Sequence, residues 1–253
     1  MNLFRFYLNK LTGKPSVFEF TLLGQSVTLG IAAPREIRRA REIEIESELV
    51  QHMRGVLREG DTIFDIGANI GLISILLANG EKGAQSQVYS FEPEPRNFHQ
   101  LSNNISLNGL VERVHPHQLA LGASEGKVDL HIRGSEGEGR HSIATSKGAT
   151  DAISVELTTM ANFCQRENVR PNIIKIDVEG AEGQVLAGMD GLLQDAAPAD
   201  VFLEVHPKGD GDLMPDGSTI QDWMLARGYE LAWNNVRGSG EHRHYRHTSA
   251  AGA

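Results

Sequence analysis

Two kinds of hydrophobic run alternate along this chain. Thr62-Ile-Phe-Asp-Ile66 is short, β-branched and mostly apolar, the pattern of a strand covered on both faces. Gly67-Ala-Asn-Ile-Gly71 breaks it, and Leu72 to Asn79 then reads as a buried helix ended by Gly80. Gln87-Val-Tyr-Ser-Phe91 is a second strand, closed by Glu92-Pro-Glu-Pro95. Arg96 to Asn108 has helical spacing, with Phe98, Leu101, Ile105 and Leu107 inward and Gly109 as its stop. Val114 to Leu121 reads as a third strand.

A more polar stretch follows. Val128 to Ile132 and Ile153 to Leu157 look like strands, separated by the flexible loop Gly134-Ser-Glu-Gly-Glu-Gly139. The alternation resumes with a strand at Asn172 to Val178, a helix at Ala181 to Gly191 and a strand at Asp200 to Val205. A helix at Thr219 to Arg227 and a strand at Tyr229 to Trp233 complete it, and the tail from Glu241 adds one more strand. Ahead of this series, Phe18 to Ile31 predicts a β-hairpin about Gly24-Gln25, and Glu36 to Arg58 a charged amphipathic helix. Strand–helix–strand repetition at this spacing predicts a doubly wound α/β sheet, mostly parallel, with helices on both faces. The expected organisation is an N-terminal hairpin-and-helix cap over residues 1–58 and one α/β layer over 59–253.

Composition narrows the function classes. With 253 residues, 40% of them hydrophobic, the chain can bury a full-sized core, which excludes wholesale disorder. Lys+Arg number 24 against Asp+Glu 33, so the net charge of −9 argues against a nucleic-acid binder, which needs a basic face. The densest apolar run, Leu72 to Ala78, falls far short of the ~20 residues of a membrane span. The start, Met1 to Lys10, has neither a long apolar core nor a small-residue cleavage site, so no secretory signal and a cytoplasmic location are expected. The single cysteine, Cys164, excludes an internal disulfide and a cysteine-built zinc site, and reads as a small buried hydrophobe.

In open α/β sheets, ligands bind at the carboxyl ends of the strands. Gly67 and Gly71 let the main chain turn sharply there, and the following helix start offers free N–H groups. Glu92 ends the next strand about 20 positions after Gly71, the placement of an acid that grips ribose hydroxyls. The loop lacks the Gly-x-Gly-x-x-Gly spacing of dinucleotide sites, and the chain has no phosphate-binding P-loop. An acid just before the glycines, Asp65, repels a pyrophosphate but suits a cofactor carrying an ammonium and a sulfonium, such as S-adenosylmethionine. The plainer alternative is a strand–helix turn with no ligand.

Four ordered segments carry a resemblance to a known family: Asp65-Ile-Gly-Ala-Asn-Ile-Gly71, Phe91-Glu-Pro-Glu-Pro-Arg-Asn-Phe98, Asn103-Asn-Ile-Ser-Leu-Asn-Gly109 and Lys175-Ile-Asp-Val-Glu-Gly-Ala-Glu182. Together they resemble the FkbM family of S-adenosylmethionine-dependent methyltransferases, over about residues 45–205. The resemblance implies a class I, Rossmann-like methyltransferase fold: a seven-stranded, mostly parallel sheet with one antiparallel edge strand. It also implies methylation of a hydroxyl oxygen on a sugar or polyketide-type metabolite. Carried over by position, Asp65, Gly67, Asn69 and Gly71 would line the amino-acid end of the cofactor. Glu92 would hold its ribose, and Ala120-Leu-Gly122 would lie near adenine. The likeness weakens after about Pro207 and in the cap, where the acceptor would be chosen.

A second acidic edge lies at Lys175, Asp177, Glu179 and Glu182, with Glu204 and His206 ending the neighbouring strand. Carboxylates gathered in one crevice repel, so a raised pKa or a cationic partner is expected. Asp177 or His206 is the expected base for an acceptor hydroxyl, with Lys175 steadying a neighbouring carboxylate. Glu179, Glu204 and His141 are the expected acceptor contacts. A structural ion pair at Lys175–Asp177, helix capping by Glu179 and Glu182, and simple strand closure at His206 are the competing explanations. No metal is expected: carboxylates suit hard cations, but neither this cluster nor Asp210-Gly-Asp212 with Asp216 has ligand spacing. The run His242-Arg-His-Tyr-Arg-His247 reads better as an edge strand or frayed terminus than as a metal tract. Glu46 and Glu48 read as solvated. The expected ligand is a small molecule or saccharide. The alternatives are N-methylation on the same fold, a non-catalytic cofactor-binding partner protein and, more distantly, a nicotinamide dehydrogenase.

Overall fold

A computed structural model describes residues 16–31, 47–132, 141–142, 152–193, 198–205, 211–237 and 240–250. The chain opens with an antiparallel hairpin, β1 (Val17–Leu22) and β2 (Gln25–Gly30). Its two-residue turn is Leu23-Gly24, one position earlier than the sequence pattern places it, and both residues have positive φ. Helix α1 (Ser47–Val56) follows; the part of the expected helix before Ser47 lies outside the described residues. The alternating series begins with β3 (Thr62–Ile66), α2 (Leu72–Ala78), β4 (Gln87–Phe91), α3 (Pro95–Leu107) and β5 (Val114–His117). Next come β6 (Ala120–Leu121), β7 (Gly126–Ile132), β8 (His141–Ser142) and β9 (Ala152–Thr158). The chain continues through α4 (Met160–Glu167), β10 (Ile173–Ile176), α5 (Glu182–Ala187), α6 (Asp190–Leu193) and β11 (Asp200–Val205). Helix α7 (Ile220–Leu225), β12 (Tyr229–Arg237) and β13 (Gly240–His247) complete it.

Seven strands form the main sheet in the order β12-β13-β11-β10-β3-β4-β5. The expected mostly parallel α/β layer is therefore present. Its antiparallel strand, β13, lies one place in from the edge, hydrogen-bonded to β11 on one side and β12 on the other. Burial explains the placement: Tyr245 and His244 of β13 are almost fully buried, and His244 stacks on Phe202 of β11 with ring centroids 4.2 Å apart. The histidine-rich tail is thus an interior strand, neither an edge nor a frayed end.

Two apolar cores cover the sheet. On one face, Val27 and Leu29 of β2 and Leu49, Val50 and Met53 of α1 join residues of α2 and α3. On the other, α4, α5 and α7 contribute Phe163, Val185 and Met224, with Cys164 buried beside Phe163. Burial pushes the Cys164 thiol up to about 12, so it behaves as a small apolar group.

Three expected elements need correction. Val114 to Leu121 is two strands, because the chain leaves the main sheet after His117 and Leu119 N–H turns back to His117 O at 3.0 Å. Ala120–Leu121 then joins a second sheet, in the order β6-β9-β7-β8. The helix from Ala181 to Gly191 breaks at Gly188-Met189 into α5 and α6. Leu107 is 40% exposed, since it ends α3 outside the arc that buries Leu101 and Ile105.

Candidate active site

A cleft of about 650 Å³ opens at the carboxyl ends of β3, β4 and β10. Gly67, Asn69, Glu92, Ala120, Asp177 and Glu179 lie on its wall, and Phe91, Leu119 and Leu130 make one side apolar. The glycine loop is held from both flanks. Gly67 and Ala68 both donate to Phe91 O, at 2.9 and 3.0 Å, while Asp177 N–H bonds to Ile66 O at 3.0 Å. Gly67 has φ +76°, and a Cβ there would sit 1.8 Å from Asp177 O. The loop backbone thus touches the end of β10, and only glycine permits both the conformation and the approach.

Asn69 also adopts a left-handed conformation, φ +52°. This turns its N–H onto Glu92 Oε2 at 2.9 Å, and Glu94 N–H donates to Glu92 Oε1 at 2.9 Å. Burial pushes the Glu92 carboxyl up to about 7 even though these two bonds favour its charged form. Asn69 Oδ1 is buried with no hydrogen-bond partner. Glu94 caps α3, accepting from Asn97 N–H at 2.7 Å, which fixes the Glu92–Glu94 corner. A carboxylate whose oxygens have spare lone pairs, an orphaned amide oxygen and an apolar wall fit a nucleoside with vicinal hydroxyls.

The second half of the site centres on Lys175, buried at 3% exposure. Its Nζ lies 3.1 Å from Asp65 Oδ1 and 3.6 Å from Asp177 Oδ2, and it donates to Gly67 O at 3.1 Å. Burial disfavours the ammonium, but Asp65 and Asp177 more than offset this and hold Lys175 protonated, above the usual lysine range. Asp177 is driven well above the usual carboxylate range, first by burial and then by Glu204, Glu179 and Glu182, with Lys175 opposing. Glu204 is one register step beyond the Ile176–Leu203 pair, which sets it beside Asp177. His242 Nε2 lies 3.4 Å from Glu204 Oε2.

The structure thus brings Gly67, Asn69, Glu92, Ala120, Asp177 and Glu179 together around one cleft, with Lys175 beneath and Glu204 beside it. Two expected contacts are corrected. Asp65 is fully buried, accepts from Ser74 Oγ at 2.5 Å and pairs with Lys175, so it braces the loop from below and does not line the cleft. Gly71 faces α3, where a Cβ would lie 2.5 Å from Leu101 Cδ1, because α2 must pack closely there. His206, Glu46, Asp210 and the 134–139 loop lie outside the described residues. His141 is described only as backbone, paired in β8 with Ile132. Asp212 is held bidentately by Arg243, at 2.7 and 3.0 Å, and Asp216 accepts from Ser218. Among the described residues, no group of three His, Cys, Asp or Glu side chains is placed to hold a metal. His242, Asn97 and the apolar wall escaped the sequence reading. Only the alternation of His242, His244 and Arg246 along the tail hinted that one face of that strand is special.

Residues 65–231 match the family described as the Methyltransferase FkbM domain. The chain belongs to the FkbM methyltransferase family. Every cleft residue named above falls within the matched span, whereas β13 with His242 lies beyond it. This FkbM methyltransferase is 27% identical over 184 residues to the hexuronic acid methyltransferase AglP of Haloferax volcanii, covering 72% of each chain. It is 30% identical over 189 residues to Methyltransferase 1 of Beauveria bassiana, covering 67% of this chain and 72% of that one. A crystal structure of a methyltransferase FkbM from Methylobacillus flagellatus shares the fold, with a TM-score of 0.52 and 18% identity. The alignment covers 76% of this chain and 45% of that one, so the chain spans under half the length of that protein. No helix among the described residues is long and apolar enough to cross a membrane.

Proposed function

We propose that this enzyme transfers the methyl group of S-adenosylmethionine to a hydroxyl oxygen of a sugar or polyketide-type metabolite. The observation that carries the reading is Asp177: a carboxylate held above its usual pKa beside the glycine loop, across the cleft from Glu92. When bound, the cofactor supplies an activated methyl group on a sulfonium. Glu92 accepts the ribose hydroxyls, Asn69 Oδ1 takes a further donor, and Phe91, Leu119, Ala120 and Leu130 enclose the adenine. Asp177 removes the acceptor's hydroxyl proton, a role that a carboxyl with a near-neutral pKa performs well at neutral pH. Lys175 ties Asp177 to Asp65 and to Gly67 O, so the base and the cofactor loop move as one unit. Glu179, Glu204 and His141 orient the acceptor, and His206 is the alternative base. Holding oxygen, methyl and sulfur in line supplies the rest of the acceleration. The name of AglP supports a saccharide acceptor.

Calorimetry with S-adenosylhomocysteine and with NAD tests the cofactor half, and a methyl-transfer assay over hydroxyl and amine acceptors tests the chemistry. Tight NAD binding without S-adenosylhomocysteine binding, or transfer to amines alone, would overturn the reading.

A further inference from the structure

A second concavity, about 1010 Å³, lies between α1 and β12, away from the cleft. Glu48, Gln51 and His52 line it from the helix, and Trp233, Asn234 and Asn235 from the strand. Its base is rigid. His52 stacks on Trp233, with centroids 4.5 Å apart and planes at 23°. Its Nε2 is 2.9 Å from His244 Nδ1, His244 Nε2 is 2.7 Å from Asp200 Oδ1, and Arg246 Nε donates to the same oxygen at 2.8 Å. Burial works against the Asp200 carboxylate, but the bonds from His244 and Arg246 keep it ionised. Burial, then His244 and Arg246, pull the His52 pKa down. The chain His52–His244–Asp200–Arg246 runs unbroken from the wall of the concavity into the sheet. The His52 ring itself borders the concavity.

This buried chain serves nothing in the cleft, since Asp200 begins β11 whereas Glu204 lies near its other end. Its effect is to preorganise the walls of the concavity. The chemistry of those walls selects the ligand. No Lys or Arg is among the described lining residues, so phosphates, sulfates and uronates lack a counter-ion there. Asn235 donates to Glu48 and Asn234 to Glu241, and the remaining amide donors and oxygens, the second Glu48 oxygen and the His52 ring match vicinal hydroxyls. The part of the indole not covered by His52 offers an apolar surface to the C–H face of a pyranose.

The location ties the concavity to the acceptor end. Asn235 pairs with His242, which pairs with Glu204, which neighbours Asp177. Three strand spacings, about 14 Å, separate Asn235 from Asp177. We infer that the α1–β12 groove is a distal subsite for a neutral sugar ring, and that the acceptor is an oligosaccharide running from this groove to Asp177. The inference rests on the proposed methyl transfer to a saccharide.

Gly55 of α1 provides the test, because it lines the groove and a Cβ there would meet nothing within 4 Å. Gly55→Leu fills the groove, while Gly55→Ala removes a helix-weakening glycine and leaves the groove open. Cellotriose, maltotriose and mannotriose, with glucose and mannose as single-ring controls, are titrated into the full chain saturated with S-adenosylhomocysteine. Binding is read by calorimetry and by Trp233 emission in a Trp223→Phe background. At least one trisaccharide is expected to bind, and its Kd to rise at least tenfold in Gly55→Leu but not in Gly55→Ala, with S-adenosylhomocysteine affinity unchanged. Absence of binding by all three, or a Kd within threefold of wild type in Gly55→Leu, overturns the subsite. Groove-dependent binding with no methyl transfer to any hydroxyl supports the subsite and removes the proposed reaction. Transfer to long and short saccharides alike, untouched by Gly55→Leu, does the reverse.

Discussion

Glu92 and Asp177 follow β4 and β10, the two strands that flank β3, and burial raises the pKa of both. They reach that state differently. Glu92 is gripped by two backbone N–H groups, from Asn69 and from Glu94. Asp177 is balanced between one ammonium and three other carboxyls, brought from β10, the turn after it, α5 and β11. Backbone donors cannot be mutated away and hardly move, so the Glu92 end, where we propose that the cofactor sits, is stiff. The Asp177 end, the proposed acceptor side, depends on side chains, each of which can be exchanged singly.

The largest effect is expected where the two ends touch. Gly67→Ala forces a Cβ into Asp177 O, and should cost about 4 kcal/mol or more, a fall in Tm of about 10 °C. A melt within about 3 °C of wild type would mean that the two ends are mechanically independent. Lys175→Met comes next. It strands the buried Asp65 without its cation, and should destabilise by about 3–5 kcal/mol in urea unfolding. A smaller loss would show that Ser74 alone suffices for Asp65.

Substitution at each carboxylate separates the halves functionally. Asp177→Asn should reduce turnover by about 10²-fold or more with S-adenosylhomocysteine affinity nearly unchanged. Glu92→Gln should weaken S-adenosylhomocysteine by about 10–100-fold with the melting curve preserved. If Asp177→Asn alters only the affinity, the assignment of roles is reversed.

The smallest effect is a proton linkage. The folded pKa of Glu92 is about 7, above its ordinary value of 4.5. Between those values the folded state binds more protons than the unfolded state, so its contribution lowers stability as pH rises through that window and levels off above it. A ligand that needs the carboxylate should bind about tenfold more tightly at pH 8 than at pH 6, releasing a proton. Calorimetry in buffers of different ionisation enthalpy reads that proton directly, and Glu92→Gln should abolish it.

The same contrast decides what the sequence could reveal. Thr62 to Ile66, the glycine loop and Glu92 are legible because their geometry is local: strand, turn, helix and an acid at the next strand end. Asp65 was assigned to the cleft because its position along the chain is right. Its side chain points under the loop only because Lys175, on a strand 110 residues later, is there to receive it. Val114 to Leu121 looks continuous because both halves are apolar, and only pairing with β9 pulls them apart. His242 was passed over because a run of charged and aromatic residues reads as surface until two partner strands enclose it.

Strand β13 also has a consequence for the order of assembly on the ribosome. It is synthesised after both strands it separates, so β11 and β12 cannot meet each other correctly in the nascent chain. Until Gly240–His247 emerges, β11 carries an open edge and Phe202 lacks its stacked partner His244, while the β3–β4–β5 half can already be paired. The β3–β4–β5 half should therefore be the first to resist protease during translation, and the β11–β13–β12 half the last.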